Sequence, residues 1–176
     1  MKHARTANLL GALTIALGDR VTETTSESAG HGAAAPSALV TMYQTPGLTI
    51  AALARVLGLS HAGTVRLVDR LAADGLVTRR RAGVGAGADG REVALHLEPN
   101  GTRTARAVLH ARAAVLDAAL STLAARDVAL LERVLSRVLT VLSTDPDVAD
   151  HICRLCDEGA CPTATCPVEM AIAPQR

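Results

Sequence analysis

Hydrophobic positions along this chain recur mostly every three or four residues, and one short stretch alternates with polar ones instead. The first spacing predicts helices and the second a strand. Leu10, Leu13, Leu17 and Val21 place a first helix over residues 5–22. Residues 22–37 are polar and small, with Gly30, Gly32 and Pro36, and read as a loop or a frayed helix end. Ala38 to Tyr43 reads as a short apolar helix stopped at Thr45-Pro46-Gly47, after which Thr49 can cap another.

Residues 49–91 organise the rest. Ile50, Leu53, Ala54 and Leu57 form one apolar face, and Gly58 ends that helix because glycine accepts positive φ at low cost. Ser60 stands at the N-cap of a second helix whose inner face is expected to carry Val65, Val68, Leu71 and Ala72. Its outer face would show His61, Thr64, Arg66 and Arg70, and Gly75 closes it. Two helices joined this tightly cross steeply, so the second stands proud of the domain. Ala62 and Gly63 let its N-terminus approach the bases of a DNA major groove. The plainer reading is a helical hairpin that only fills a core.

The next segment favours the groove-binding reading. Leu76 to Arg81 is a short strand that turns strongly basic. Gly83, Gly85, Gly87 and Gly90 are too many glycines for a regular element, and REVALHL at 91–97 returns as a strand. That is a β-hairpin with a long tip, a wing, and an arginine at its rim can enter a narrow minor groove. Helix restarts at Pro99-Asn100-Gly101, with a stripe of Val108, Leu109, Arg112, Val115, Leu116, Ala119, Leu120 and Leu123. Arg112 is its one polar member. Beyond a break near Ala125-Arg126-Asp127 lies a second stripe: Leu131, Val134, Leu135, Val138, Leu139 and Leu142. Stripes this long exceed what a small winged domain covers, so the first helix and a second copy of the chain are expected to bury them. A monomeric helical layer is the alternative.

The fold class expected is therefore mainly α with a small β-hairpin wing: a winged helix-turn-helix domain plus a helical dimerisation region. The divisions expected are an N-terminal dimerisation helix at 1–30, the DNA-binding domain at 38–98, C-terminal dimerisation helices at 99–145 and a cysteine-rich tail at 146–176.

Charge sharpens this picture. The 176 residues carry a net charge of only +1, so the whole molecule is not a polybasic binder. Between residues 55 and 91, however, seven arginines face three aspartates, a balance of +4, while residues 145–169 hold six acids and one arginine, a balance of −5. A cationic patch on a near-neutral protein suits phosphate contact from one face. Tyr43 is the only aromatic residue, so stacking on single-stranded bases is not available and duplex DNA is the better partner. NLLGALTIAL behind Lys2, His3 and Arg5 loosely imitates a signal peptide, but Asp19 and Arg20 interrupt early and no cleavage site comes closely after. No run reaches membrane-spanning length, and a cytoplasmic protein with no membrane partner is expected. No nucleophile–base pair, paired carboxylates or phosphate-binding glycine motif supports an enzyme. A third class, a module that binds an acidic protein through its basic face, is separated from DNA binding by a gel shift.

All four cysteines, Cys153, Cys156, Cys161 and Cys166, lie in HICRLCDEGACPTATCPVEM, spaced C-x2-C-x4-C-x4-C-P. Four thiols in one short segment can surround one centre. They suit tetrahedral zinc or an iron–sulfur cluster, which the spacing does not separate. His151 is a substitute ligand of lower rank. Asp157 and Glu158 are expected to raise the thiol pKa values, which favours a metal over a bare reactive thiol. A thiol–disulfide switch and unligated cysteines are the other readings. The tail is expected to pack beside the dimer helices and either stabilise the dimer or sense metal or redox state.

The order of elements over about residues 5–143 resembles the MarR family of bacterial winged helix-turn-helix transcription regulators. The most specific part is Asp89-Gly90-Arg91 leading through Leu95 and Leu97 to Gly101, similar to the family's wing signature D-x-R-x-x-x-L-x-L-T-x-x-G. Glu98 stands where threonine is usual, which puts the cap of the following helix in question. Thr64 to Val77 also resembles the family's recognition helix and its exit. The resemblance implies a homodimer on a pseudo-palindromic operator with half-sites about one helical turn apart, usually as a repressor. It implies helix 60–73 in the major groove, with Ser60, His61, Thr64 and Arg66 reading bases. Arg70, Arg79, Arg80 and Arg81 would contact phosphates. Arg91 would reach the minor groove, with Asp89 orienting a neighbouring arginine. It further implies a small-molecule effector between the dimer helices and the DNA-binding lobe, in a pocket that here would be mostly aliphatic.

Overall fold

The computed structural model describes residues 3–81 and 93–173. Asp89, Arg91 and the wing-tip glycines lie outside the described residues. Eight α-helices, a two-stranded hairpin and one 3-10 turn succeed one another among the described residues. α1 (Ala4–Ala29) packs along α5 (Pro99–Leu120), and α2 (Ala35–Gln44) is wedged between them and the reading lobe. That lobe is α3 (Ile50–Leu57), α4 (His61–Ala73), β1 (Val77–Arg81) and β2 (Val93–Leu97). α6 (Ala125–Leu142) comes after a break at residues 121–124, slightly earlier than the spacing suggests. α7 (Pro146–Cys153), the turn Thr163–Thr165 and α8 (Pro167–Ile172) form a C-terminal lobe.

Residues 22–29 are helix, not loop. Serine and threonine are neutral-to-poor helix formers because they compete for backbone bonds. Here those bonds run back along the helix: Thr25 donates to the Val21 carbonyl at 2.6 Å and Ser28 to that of Thr24 at 2.8 Å. Thr25 and Ala29 are buried, so packing overrides propensity. Gly30, at φ 65°, ends the helix by donating to the Ser26 and Glu27 carbonyls. Pro36, expected in the loop, instead sits in the first turn of α2, where its missing N–H costs nothing.

The main core is aliphatic and centred on α2, where Ala35 to Met42 are all buried. Leu39, Leu53, Val68, Leu71, Leu95 and Val108 close around it. The hairpin pairs Val77 with Leu97 and Arg81 with Val93. Simple alternation in β2 fails at Ala94, which is buried because Thr49 bridges it from the other edge while Leu48 accepts from the Leu95 N–H. α1 packs chiefly on α5. Among the described residues α6 packs chiefly on α8, at Leu139, and none of its residues is fully buried.

α5 starts at Glu98, which holds an extended N-cap conformation without a side-chain cap bond. The one cap that the resemblance put in question is therefore missing. Glu98 instead lies 4.0 Å from Arg80, an exposed pair of little energetic weight. Glu98→Thr is expected to raise stability by about 1 kcal/mol, since threonine caps and glutamate does not. Urea unfolding checks this, and a lowered midpoint refutes it.

Candidate nucleic-acid interface and thiol cluster

The two helices of the reading lobe are set by local chemistry. The Thr49 hydroxyl accepts from the Ala52 N–H at 3.2 Å and opens α3. Gly58, at φ 65°, closes it. The Ser60 hydroxyl accepts from the Gly63 N–H at 3.1 Å and opens α4. Gly75, at φ 68°, turns the chain into β1.

α4 buries Thr64, Leu67, Val68 and Leu71. The inner face is thus rotated from the one expected, and Val65 and Ala72 are only half-buried. Thr64, expected outside as a base reader, is fully buried, and its hydroxyl donates to the Ser60 carbonyl at 3.1 Å. Threonine is small and weakly polar, so it tolerates either face once its hydroxyl finds a backbone acceptor. Ser60, His61, Arg66 and Arg70 are exposed as expected.

Arg79, Arg80 and Arg81 add exposed cations along β1, with Arg79 and Arg81 on one side of the strand and Arg80 on the other. Arg79 pairs with Asp69 of α4 at 2.7 Å, tying strand to helix and cancelling one charge of the patch. A cleft of ≈ 250 Å3 between α2 and the β2–α5 junction is lined by Met42, Tyr43, Pro46, His96, Leu97 and Thr102. Beside it Arg106 donates to the Tyr43 hydroxyl at 3.2 Å and lies 5.6 Å above the ring centre.

No disulfide joins the four cysteines, which line a single cavity of ≈ 50 Å3 together with Glu158, Thr163 and Glu169. Cys153 shares a thiol hydrogen bond with Cys156, and Cys161 shares one with Cys166. All four thiols thus surround one small space. Among the described residues, no three His, Cys, Asp or Glu side chains already stand grouped as a metal-binding set. The thiols ring a cavity rather than meeting at a point. His151 is not part of it: its Nδ1 bonds the Val56 carbonyl at 2.7 Å.

The acidic neighbours do not set every thiol in the direction expected. Cys156 is pulled down to about 6, chiefly by the Cys153 hydrogen bond, against desolvation and with help from Arg112. Glu158 opposes this only weakly. Cys153 is pushed up by the same hydrogen bond and by burial, and Cys161 up to about 11, mainly by burial. Arg112, the odd polar member of the α5 stripe, thus lies within electrostatic reach of the tail. In reduced, metal-free protein, alkylation at Cys156 is expected to rise through pH 6 and to lead at pH 7, with Cys161 slower throughout and still rising toward pH 11. Peptide mapping checks this, and faster labelling of Cys161 at pH 7 refutes it.

Known proteins share this architecture. A family model described as MarR family matches residues 32–91, which span α2, both helices of the reading lobe and the start of the wing. Over that segment the chain is similar to the MarR family. Around that segment the fold is shared over about three quarters of the chain. A MarR family protein from Bacillus stearothermophilus superposes with a TM-score of 0.67 at 24% identity, covering 78% of this chain and 92% of that one. The YusO protein of Bacillus subtilis gives 0.63 at 20% identity, covering 77% and 92%. Apo MarR from E. coli gives 0.59 at 24%, covering 74% and 96%. Comparison with curated protein sequences gave no match. The cysteine ring lies C-terminal to the matched MarR segment. No helix among the described residues is long and apolar enough to cross a membrane.

Proposed function

We propose that the chain is a sequence-specific, double-stranded DNA-binding transcription regulator that acts as a cytoplasmic homodimer on a pseudo-palindromic operator and represses. The observation that carries this is a concentration of exposed cations on adjacent elements. His61, Arg66 and Arg70 on a protruding, capped α4 continue into Arg79, Arg80 and Arg81 on β1, inside the segment similar to the MarR family. α4 lies in the major groove, with Ser60, His61 and Arg66 reading base edges. Thr64 holds the start of the helix instead. Arg70, Arg79, Arg80 and Arg81 meet phosphates, and the wing brings Arg91, oriented by Asp89, to the minor groove. The cleft beside Tyr43 receives a small-molecule effector. None of this needs catalytic chemistry.

The test is binding to the DNA upstream of the protein's own gene, measured by fluorescence anisotropy against random competitor. Arg66→Ala is expected to weaken the specific complex roughly tenfold to a hundredfold, the range for one base-reading contact. Arg81→Ala is expected to weaken all sequences alike and reduce the salt slope by about one. If both variants keep the parent's affinity and slope, this face does not bind DNA.

The second reading is a metal- or redox-sensing regulator, in which zinc or an iron–sulfur cluster on the four cysteines controls DNA binding. The observation favouring it is that all four cysteines line one cavity in a lobe docked on α3.

A further inference from the structure

The C-terminal lobe has a small core of its own: Ala149, Cys166, Val168 and Ile172 are buried, with Leu139 of α6 packed against them. It also grips the first helix of the reading lobe at several points. The His151 ring bonds the Val56 carbonyl at 2.7 Å and lies against Gly58, the residue that turns α3 toward α4. Arg55 and Asp147 approach to 3.5 Å. The Gln44 amide, at the end of α2, donates to the backbone carbonyl of Cys156. One member of the thiol ring is therefore tied by its own backbone to the helix that precedes the reading lobe.

The ring is the right size for one ion. A tetrahedral centre with metal–sulfur bonds of about 2.3 Å sets neighbouring sulfurs roughly 3.8 Å apart, and the four thiols, which surround the cavity without yet standing grouped as such a set, must close in on the ion. The cavity of ≈ 50 Å3 holds no more than a few water molecules, given that one needs about 10–15 Å3. A cluster would have to fit its inorganic sulfides in the same space and push the two pairs apart.

The cavity is also approached correctly. A cleft of ≈ 370 Å3 between the C-terminal lobe and α2–α3 shares Cys153, Glu158, Thr163 and Glu169 with it. Asp150, Glu158 and Glu169 face Arg154 there, three carboxylates to one guanidinium, and such a cleft concentrates cations.

We propose that Cys153, Cys156, Cys161 and Cys166 bind a single thiophilic divalent cation of the zinc class, reached through this acidic cleft, and that the filled site braces the C-terminal lobe against α2 and α3. The thiol protons leave to solvent as the four sulfurs close on the ion. The filled site holds α3, and with it α4, in the posture that engages DNA, so less ordering remains for the DNA to impose. The metal site stands on the cysteine geometry alone. The effect on DNA rests on the DNA-binding reading above.

The experiment is a titration of the reduced, metal-stripped full chain with Co2+, then displacement by Zn2+. One equivalent is expected to give the ligand-field bands of tetrahedral cobalt with sulfur-to-cobalt charge transfer, and Zn2+ to bleach both. Cys161→Ser, the most exposed position, is expected to weaken binding at least a hundredfold while circular dichroism stays that of the parent. Loading Zn2+ is expected to raise operator affinity at least tenfold. Gln44→Ala is expected to keep the cobalt spectrum and lose that gain. Absence of the cobalt spectrum overturns the site. A brown anaerobic preparation with iron and sulfide, or a ring isolated only as two disulfides, overturns the single-ion assignment. A normal cobalt spectrum with equal DNA affinity in both states overturns the coupling. If no state binds DNA, the DNA-binding reading fails while the cobalt result still decides the metal site.

Discussion

Gly101→Ala is expected to cost about 3 kcal/mol of stability, although alanine is the better helix former. Gly101 is buried in the first turn of α5, and a Cβ there would fall 2.0 Å from the Leu76 carbonyl oxygen and 3.2 Å from the Leu97 side chain. The obstacle is backbone and cannot swing away. That carbonyl also accepts the Glu98 N–H at 2.9 Å, so moving α5 outward breaks the bond that seats the helix on the end of the reading lobe. Propensity alone would make the change favourable by up to about 1 kcal/mol. The sign of the effect therefore decides between the two. Urea unfolding reads it, and an unchanged or raised midpoint would show that α5 does not approach Leu76 this closely. This contact is also the physical content of the glycine that ends the wing signature.

The second large effect belongs to α6. Val134 is 48% exposed and Val138 is 43% exposed, and Leu130, Leu135, Val141 and Leu142 stand open along the same helix. α1 adds Leu9, Leu10, Leu13 and Ile15. Uncovered apolar surface of this extent is a mark of association. In the proposed homodimer a second chain covers it. The double variant Val134→Glu, Val138→Glu is expected to leave the single chain folded, because both sites are open to water in it. It is expected to yield monomers by light scattering and to lose roughly a hundredfold to ten-thousandfold in operator affinity, since the two half-sites are no longer engaged by one molecule. A dimer with full affinity would place the interface elsewhere.

The parts of the reading lobe legible from the sequence were those with local causes. Thr49 and Ser60 cap the helices that begin after them, and Gly58 and Gly75 turn the chain at positive φ, because each effect needs only neighbours within one helical turn. The rotation of α4 was not legible. Thr64 and Val65 are both tolerable on an inner face, and only packing against the α2-centred core selects Thr64. That α1 continues as regular helix through Thr22–Ala29, where the sequence reads as loop or frayed helix end, has the same reason: burial of Thr25 and Ala29 against other elements outweighs weak propensity.

The cysteine tail divides the same way. The sequence by itself determined that four thiols lie close together and that a basic reading lobe precedes two long apolar stripes. Spacing and charge along a chain are local properties, and they survive any packing. The tertiary structure alone decided that the thiols line one cavity, that Arg112 comes near enough to Cys156 to lower its pKa, and that His151 holds Val56, because residues far apart in sequence meet only once the helices have packed.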